Sequence, residues 1–595
     1  MKQFLITTPL EETWLENEPV LFLGEWCRRY DRKHVWEKMD AIVAKPYGVK
    51  SEQKERDLDY VRDLSNQILN ELVEVLNVFH NVNYSLRFWR IVLGHWLKRY
   101  TMVIFNRYFT LVQALENYPI DTTIILNDDS YNLATKDSTH FIWACNDDLW
   151  NHVLYARILH YLGGVKLTVI PCNIKNRFQE ECNIIKVSKK HILYEVVNFI
   201  LSKFSKKDDA FIINSYLQRW EEVKLAFLLK QCPQFWQSPL FKAVKFDSIK
   251  RLNFRMNLDS HLGFELFIRR EIGHMLPICF LEGFEQLMQQ VNDLPWPKSP
   301  KFIFTSNNFD TDEVFKVWTG RQVECGVPYY VGQHGNNYGT SKEIIPQEAI
   351  DISDKFFTWG WNNGVSKNIP TCIFKKTKDA SFRSYAVGGL LLIEVMQPHR
   401  LETGDSDYNH CIYQQEQFKF VETLPKVIQQ ELTVRLHSGW RLTPWLDEKR
   451  WRDSYPSVHL ELGIEKISSL ISKNRLVVHS YDSTGILETL ASNIPTICFW
   501  HGGLSHLLEH AKPFYEMLRK VNIIFDTPIQ AAKFITKYWN NIEEWWMGEE
   551  LQLARKLFCN EYARVEKRKV KILKQKLTEV AKMSEGDAHT KKLDH

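Results

Sequence analysis

The sequence predicts an α/β protein built on parallel sheets, and two observations carry that class. Short apolar, β-branched runs alternate along the chain with longer helical patterns. Those runs are apolar at consecutive positions, as in strands covered on both faces, rather than at every second position. The bulk composition fits: 44% hydrophobic and 25% charged residues over 595 positions, enough for several domains.

In chain order, strands are expected at 20–23, 123–126, 167–170, 211–213, 302–305, 329–332, 356–359, 390–395, 433–436, 476–479 and 496–499. Helices are expected at 55–80, 86–117, 149–162, 260–291 and 464–471. The stretch 86–115 is the most apolar long run. Arg87, Arg90, His95, Lys98, Arg99 and Arg107 interrupt it, so it reads as a packing helix and not as a membrane span. Residues 362–383 are Lys-rich and weakly periodic, and read as a linker. The organisation that follows is an N-terminal Rossmann-like, acceptor-side domain at 1–370, a C-terminal Rossmann-like, nucleotide-binding domain at 384–560, and a basic tail at 561–595, helical or disordered. Contact of that tail with the inner membrane is its minority reading.

Lys plus Arg number 76 and Asp plus Glu 72, so the charge makes no case for nucleic-acid binding. Eleven scattered cysteines form no Cys-x-x-Cys pair and read as reduced thiols. The first residues lack a signal-peptide pattern, and a cytoplasmic location is expected.

The segment 475–500 carries the most chemistry. An apolar strand ends at His479, followed by Ser480, Ser483 and Thr484, then a helix bearing Glu488. Ligands sit outside the carboxyl ends of parallel strands, and a helix start with free N–H groups holds anions. Hydroxyls add donors to phosphate, and Glu488, one turn on, can accept from a ribose diol. The same residues also serve as ordinary helix caps and solvent-facing side chains. Arg435 and His437 share one face of the strand at 433–436, and the second can equally be a core histidine. On the other half, a strand ends in Gln333-His334-Gly335; Glu348 follows and either orients His334 or caps a helix. Glu25, after the first strand, is a candidate general base, with Asp128 and Asp129 as rivals. No metal is assigned.

The Gln333-His334-Gly335 strand end and the strand through Lys355 to Trp359 and Gly360 resemble GT-B type glycosyltransferases of bacterial surface polysaccharides; the segments 435–437 and 479–488 resemble the donor half of that fold. The opening run from Phe4 to Cys27 is similar to a transferase family associated with nonulosonic acid and Kdo (3-deoxy-manno-octulosonate) surface carbohydrates. The resemblance implies a GT-B-like fold, two Rossmann-like domains facing across a cleft with added N-terminal helices. It implies a metal-independent glycosyltransferase without a cofactor, using a CMP-linked nucleotide sugar and a glycan or lipid-linked acceptor. It places His437 on the cytidine or its phosphate, Ser483 and Thr484 on the CMP phosphate and Glu488 on the ribose; Ser480 and Arg435 are expected beside them from their strand-end positions. Gln333 and His334 face the cleft as catalytic residues, and Asp128, Asp129 and Glu348 stand on the acceptor side. Ser438 occupies the position where that family's His-Pro motif has proline. A sugar-nucleotide epimerase of the same shape and a non-catalytic carbohydrate-binding protein are the alternatives.

Overall fold

A computed structural model describes residues 2–15, 17–127, 131–172, 174–179, 203–259, 261–375, 388–396 and 400–593, with side chains to 583. Its strands fall into three sheets, and every strand pair is parallel. The first sheet holds β1 (Gln3–Ile6), β2 (Val20–Phe22), β3 (Ala41–Val43), β4 (Ile120–Leu126) and β5 (Lys166–Ile170), in the order β3-β2-β1-β4-β5. The second holds β6 (Phe211–Ile213), β7 (Ile303–Thr305), β8 (Tyr329–Gly332), β9 (Lys355–Thr358) and β10 (Asn368–Pro370), in the order β10-β9-β8-β7-β6. The third holds β11 (Gly389–Ile393), β12 (Leu432–Arg435), β13 (His459–Glu461), β14 (Asn474–His479), β15 (Thr496–Phe499) and β16 (Ile524–Phe525), in the order β13-β12-β11-β14-β15-β16.

The α/β parallel class holds, and the pair facing across a cleft is the second and third sheets. The N-terminal region, expected to add helices, adds a whole sheet as well, so residues before 370 carry two sheets. The helices that bear on the site are α1 (Ser51–His80), α2 (Leu86–Asn117), α3 (Arg219–Leu228), α4 (Glu313–Glu324), α5 (Ile344–Asp351), α6 (Ser406–Thr423), α7 (Thr484–Ala491), α8 (Glu549–Tyr562) and α9 (Lys569–Leu593). The single helix expected at 260–291 is broken into 263–275 and 284–292, because Pro277 has no N–H to continue the ladder.

Helix α2 is buried on nearly all sides and binds the first two sheets together. A helix apolar all round belongs inside a large protein. Its interrupting cations are the pins. Arg87 Nη2 reaches Asp354 at 2.7 Å, Arg99 forms two bonds with Asp310, and Arg107 Nε bonds Asn151 Oδ1 at 3.0 Å. Lys98 Nζ is spent on Ser65, Asn66 and the Arg62 carbonyl of α1. No helix among the described residues is long and apolar enough to cross a membrane.

The second and third sheets are stitched by backbone. Ser341 and Leu507 form an antiparallel bridge, Lys342 N donates to His506 O at 3.1 Å, and Leu508 N donates to Thr340 O at 2.8 Å. The chain then returns: Arg564 N donates to Trp359 O at 2.8 Å. In the tail, α9 buries Val570, Leu573, Leu577 and Val580, and Lys569 pairs with Glu221 of α3 at 2.9 Å. One face of this basic segment is therefore used for packing and not for solvation.

Candidate functional site

All strands in each sheet being parallel, each sheet has one carboxyl edge, where ligands of such sheets sit. The loops leaving the carboxyl ends of β8 and β14 touch each other. Asn336 N donates to Thr484 Oγ1 at 3.0 Å, and Asn336 Nδ2 donates to Asp482 Oδ1 at 2.7 Å. A Cβ on Gly335 would lie 2.8 Å from Thr484 Oγ1, so the glycine permits this approach. Asp482 is further held by His506 Nε2 at 3.0 Å and the Tyr515 hydroxyl at 3.1 Å.

Around this junction lies a crevice of mixed charge. Lys375, which follows the second sheet, puts Nζ 2.8 Å from Glu488 Oε1 on α7 and 5.5 Å from the Tyr216 ring centroid. His334 packs against Tyr216 and Phe309, and its Nδ1 is 3.2 Å from the Tyr338 hydroxyl. Burial, helped by the charge of Lys375, pushes its pKa down to about 4. That favours the neutral imidazole, which can hold a hydroxyl or phosphate oxygen by a hydrogen bond. His437 stands exposed past the end of β12; its Nδ1 accepts from Gly439 N at 3.1 Å, which leaves Nε2–H to donate outward.

The structure therefore gathers His334, Thr484 and Glu488 and adds Lys375, Tyr216 and Asn336, which the sequence reading missed. Lys375 sits in a segment that reads as linker, and nothing in its spacing marks it. Several expected residues are occupied by the fold instead. Gln333 is buried; its Oε1 accepts from Trp359 N at 2.8 Å and Trp361 Nε1 at 2.9 Å, and its Nε2 donates to Gly335 O at 2.8 Å. It shapes the loop and is not a catalytic group. Ser480 is buried, donating to Ile393 O at 3.1 Å beside the Tyr413 hydroxyl at 2.8 Å. Ser483 is buried against His479 Nδ1 at 3.2 Å, so only Thr484 of the expected hydroxyl pair reaches the crevice. The charge of Arg435 is met by Glu461, 3.4 Å away.

Glu348 does not orient His334. It is buried on α5, accepting from Arg90 Nε and Nη2, both at 3.0 Å, and it holds α5 to α2. Glu25 is paired with Arg28 at 2.6 Å in a separate cavity of about 330 Å³ between the first sheet and α6. Asp128 and Asp129 lie outside the described residues. Asp-x-Asp spacings occur at 57–59, 310–312 and 405–407. Asp310 pairs with Arg99, Asp312 caps α4, Asp405 caps α6 and Asp407 meets Arg400 at 3.2 Å.

Residues 3–577 match the family model described as LIC12162 family transferase, and the chain belongs to that family of transferases. No curated protein matches the sequence. Among solved structures, an S. aureus MnaA–UDP complex is 12% identical over 59% of this chain and 94% of that one, with a TM-score of 0.33. MurG of Acinetobacter baumannii is 8% identical over 77% of this chain and 98% of its own, with a TM-score of 0.29. A Listeria monocytogenes protein assigned as a UDP-N-acetylglucosamine 2-epimerase is 10% identical over 60% and 100%, with a TM-score of 0.33. Likeness at this level carries no argument about chemistry.

Proposed function

We propose that this transferase is a glycosyltransferase that moves a sugar from a CMP-activated donor, of the nonulosonic acid or Kdo type, onto a bacterial surface glycan or lipid-linked acceptor. The observation that carries this reading is the crevice where Asn336 meets Thr484 and Lys375 meets Glu488. It combines a helix start, a hydroxyl whose proton is still available to donate, a lysine ammonium and a carboxylate one turn along. A nucleoside phosphate needs those groups. The preference for CMP rests on the resemblance of segments 435–437 and 479–488 to CMP-sugar users.

In this reading the donor's phosphate lies at the start of α7, within reach of Thr484 and Lys375, and its ribose lies on Glu488. As the bond between anomeric carbon and phosphate oxygen breaks, negative charge grows on that oxygen. Lys375 and the α7 amides stabilise it without reorganising. His334, neutral, positions the sugar from the opposite wall. No step requires a cofactor from the chain.

Isothermal titration with CMP, UDP and GDP, followed by product analysis with the matching nucleotide sugars, tests this. Tightest binding of CMP and release of CMP from a CMP-sugar are expected. Tighter binding of UDP removes the CMP assignment, and a rearranged sugar still bound to its nucleotide makes the protein an epimerase.

A further inference from the structure

A second, larger cavity, of about 1090 Å³, opens where loops from the carboxyl ends of β4, β7 and β12 converge. It exceeds the roughly 300–1,000 Å³ of ordinary ligand pockets. The first sheet supplies one wall, through residues 136–148 and 177–178; the second supplies 311–313 and the third 441–444. None of the residues singled out for the nucleotide crevice lines it.

Its wall holds an oriented histidine. His140 is only 7% exposed, and its Nδ1 sits 2.7 Å from Asp137 Oδ1, while Asp137 also caps the helix start by accepting from His140 N at 2.9 Å. A carboxylate at Nδ1 fixes the proton there and leaves Nε2 as an acceptor. That Nε2 has no hydrogen-bond partner among the described residues. A buried polar atom with nothing to bond is uncommon and calls for a missing partner. One turn along, Trp143 is 38% exposed, its ring 4.9 Å from that of His140. Leu240 and Leu442, 69% and 65% exposed, stand on the same rim, so an apolar patch opens to solvent here. An accessible indole face beside an unused hydrogen-bond acceptor suits a ligand with apolar C–H faces and many hydroxyls.

We propose that this cavity binds carbohydrate, one sugar ring lying on Trp143 and giving a hydroxyl hydrogen bond to His140 Nε2, held ready by Asp137. Its identification as the acceptor's site rests on the transfer reading above; its ligand class does not. The additional first sheet supplies one wall of the cavity, which gives that sheet a task.

The full chain, labelled with 5-fluorotryptophan, is titrated with the methyl glycosides of galactose, mannose and N-acetylglucosamine, and followed by fluorine NMR. The Trp143 resonance is assigned by its loss in Trp143→Phe. The expected result is a saturable shift of that resonance with at least one glycoside, weakened about tenfold in His140→Gln, with the thermal unfolding of that variant unchanged. A still Trp143 resonance with all three glycosides, or an equal affinity in folded His140→Gln, overturns the proposal. Should His140→Gln unfold, Asp137→Asn replaces it, with the same expectation and the same overturning result. Calorimetry with CMP is run on the same samples. Glycoside binding without CMP binding removes the CMP donor and leaves the cavity; CMP binding without glycoside binding does the reverse.

Discussion

Lys375 and Glu488 lie 2.8 Å apart, Nζ to Oε1, and the contact joins the segment after the second sheet to the first helix turns of the third sheet's α7. If the proposed nucleotide sets its ribose on Glu488, the diol competes with Lys375 for the carboxylate and frees the ammonium for the phosphate of the same ligand. In the structure each partner satisfies the other's charge.

Lys375→Ala is therefore expected to weaken CMP by about tenfold or more, since a hydrogen bond to a charged group is worth roughly 1.5–3 kcal/mol. It should leave the unfolding midpoint nearly unchanged, because an ion pair this exposed contributes only about 0–1 kcal/mol. Glu488→Gln should weaken CMP more than 2′-deoxy-CMP. Calorimetry with both nucleotides checks the pair, and equal loss for the two ligands would remove Glu488 from the ribose.

Ser483 and Thr484 are neighbours with different work. The Ser483 hydroxyl is buried against His479; the Thr484 hydroxyl accepts from Asn336 across the crevice. Ser483→Ala should cost about 1 kcal/mol of stability with CMP affinity intact. Thr484→Ala should lower CMP affinity while the denaturant midpoint barely moves. Urea unfolding and calorimetry on both variants separate these outcomes, and a matching profile in the two would mean that neither hydroxyl meets phosphate.

Glu348 is a stability residue. Burial alone would raise its pKa, but the hydrogen bonds and charge of Arg90, with the charge of Lys98, hold it below the usual carboxylate value. Its folded pKa is lower than its unfolded one, so its contribution is present above the unfolded value and is lost as pH falls through the folded one. Removing Arg90 strands a buried carboxylate, and Arg90→Ala is expected to cost about 3 kcal/mol or more. Nucleotide affinity in the folded variant should match wild type. A midpoint shift too small to resolve in urea would show that water reaches Glu348.

Most of the eleven strand runs legible in the sequence are apolar at consecutive positions, although Thr433-Val434-Arg435-Leu436 alternates and two of them, β5 and β6, are edge strands. Four of the five that escape notice, β3, β10, β13 and β16, are edge strands of two or three residues. An edge strand is covered on fewer sides and needs no apolar run: two of the three residues of β13, His459 and Glu461, are polar. Missing β3, and the four-residue β1 beside β2, hides the first sheet as a sheet. The candidate site was legible only in part, for a related reason. Motif spacing shows that Ser480, Ser483 and Gln333 stand at strand ends, but not whether their polar atoms point to a ligand or back into the fold. Asp137 and His140 carry no signal in the sequence, where an acid three residues before a histidine reads as an ordinary helix start; the cavity that makes the pair notable is assembled from three sheets.

Several buried histidines are expected to make the fold sensitive to acid, among them His95, His152 and His479. His95 and His152 are buried and pushed down to about 4, and His479 to about 3, in each case by burial. His152 Nε2 accepts from Leu126 N at 3.1 Å, and Nδ1 lies 3.1 Å from the Thr8 hydroxyl, an arrangement that suits only the neutral ring. His95 sits among Arg99 and Lys316, which oppose a further positive charge, while Asp310 and Glu348 favour it; burial outweighs both. Each ring takes up its proton in the unfolded chain near pH 6.5 and resists it in the folded one. Between about pH 6.5 and 4 the unfolded state therefore holds more protons, and stability falls as the pH falls, by up to about 1.4 kcal/mol per pH unit for each ring. Urea midpoints at pH 7 and pH 5 measure this slope. His152→Gln keeps a donor and an acceptor without a titrating ring, so its midpoint should drop less between the two pH values than that of wild type. An unaltered slope in a folded His152→Gln would mean that the ring at 152 takes a proton as readily inside the protein as outside it.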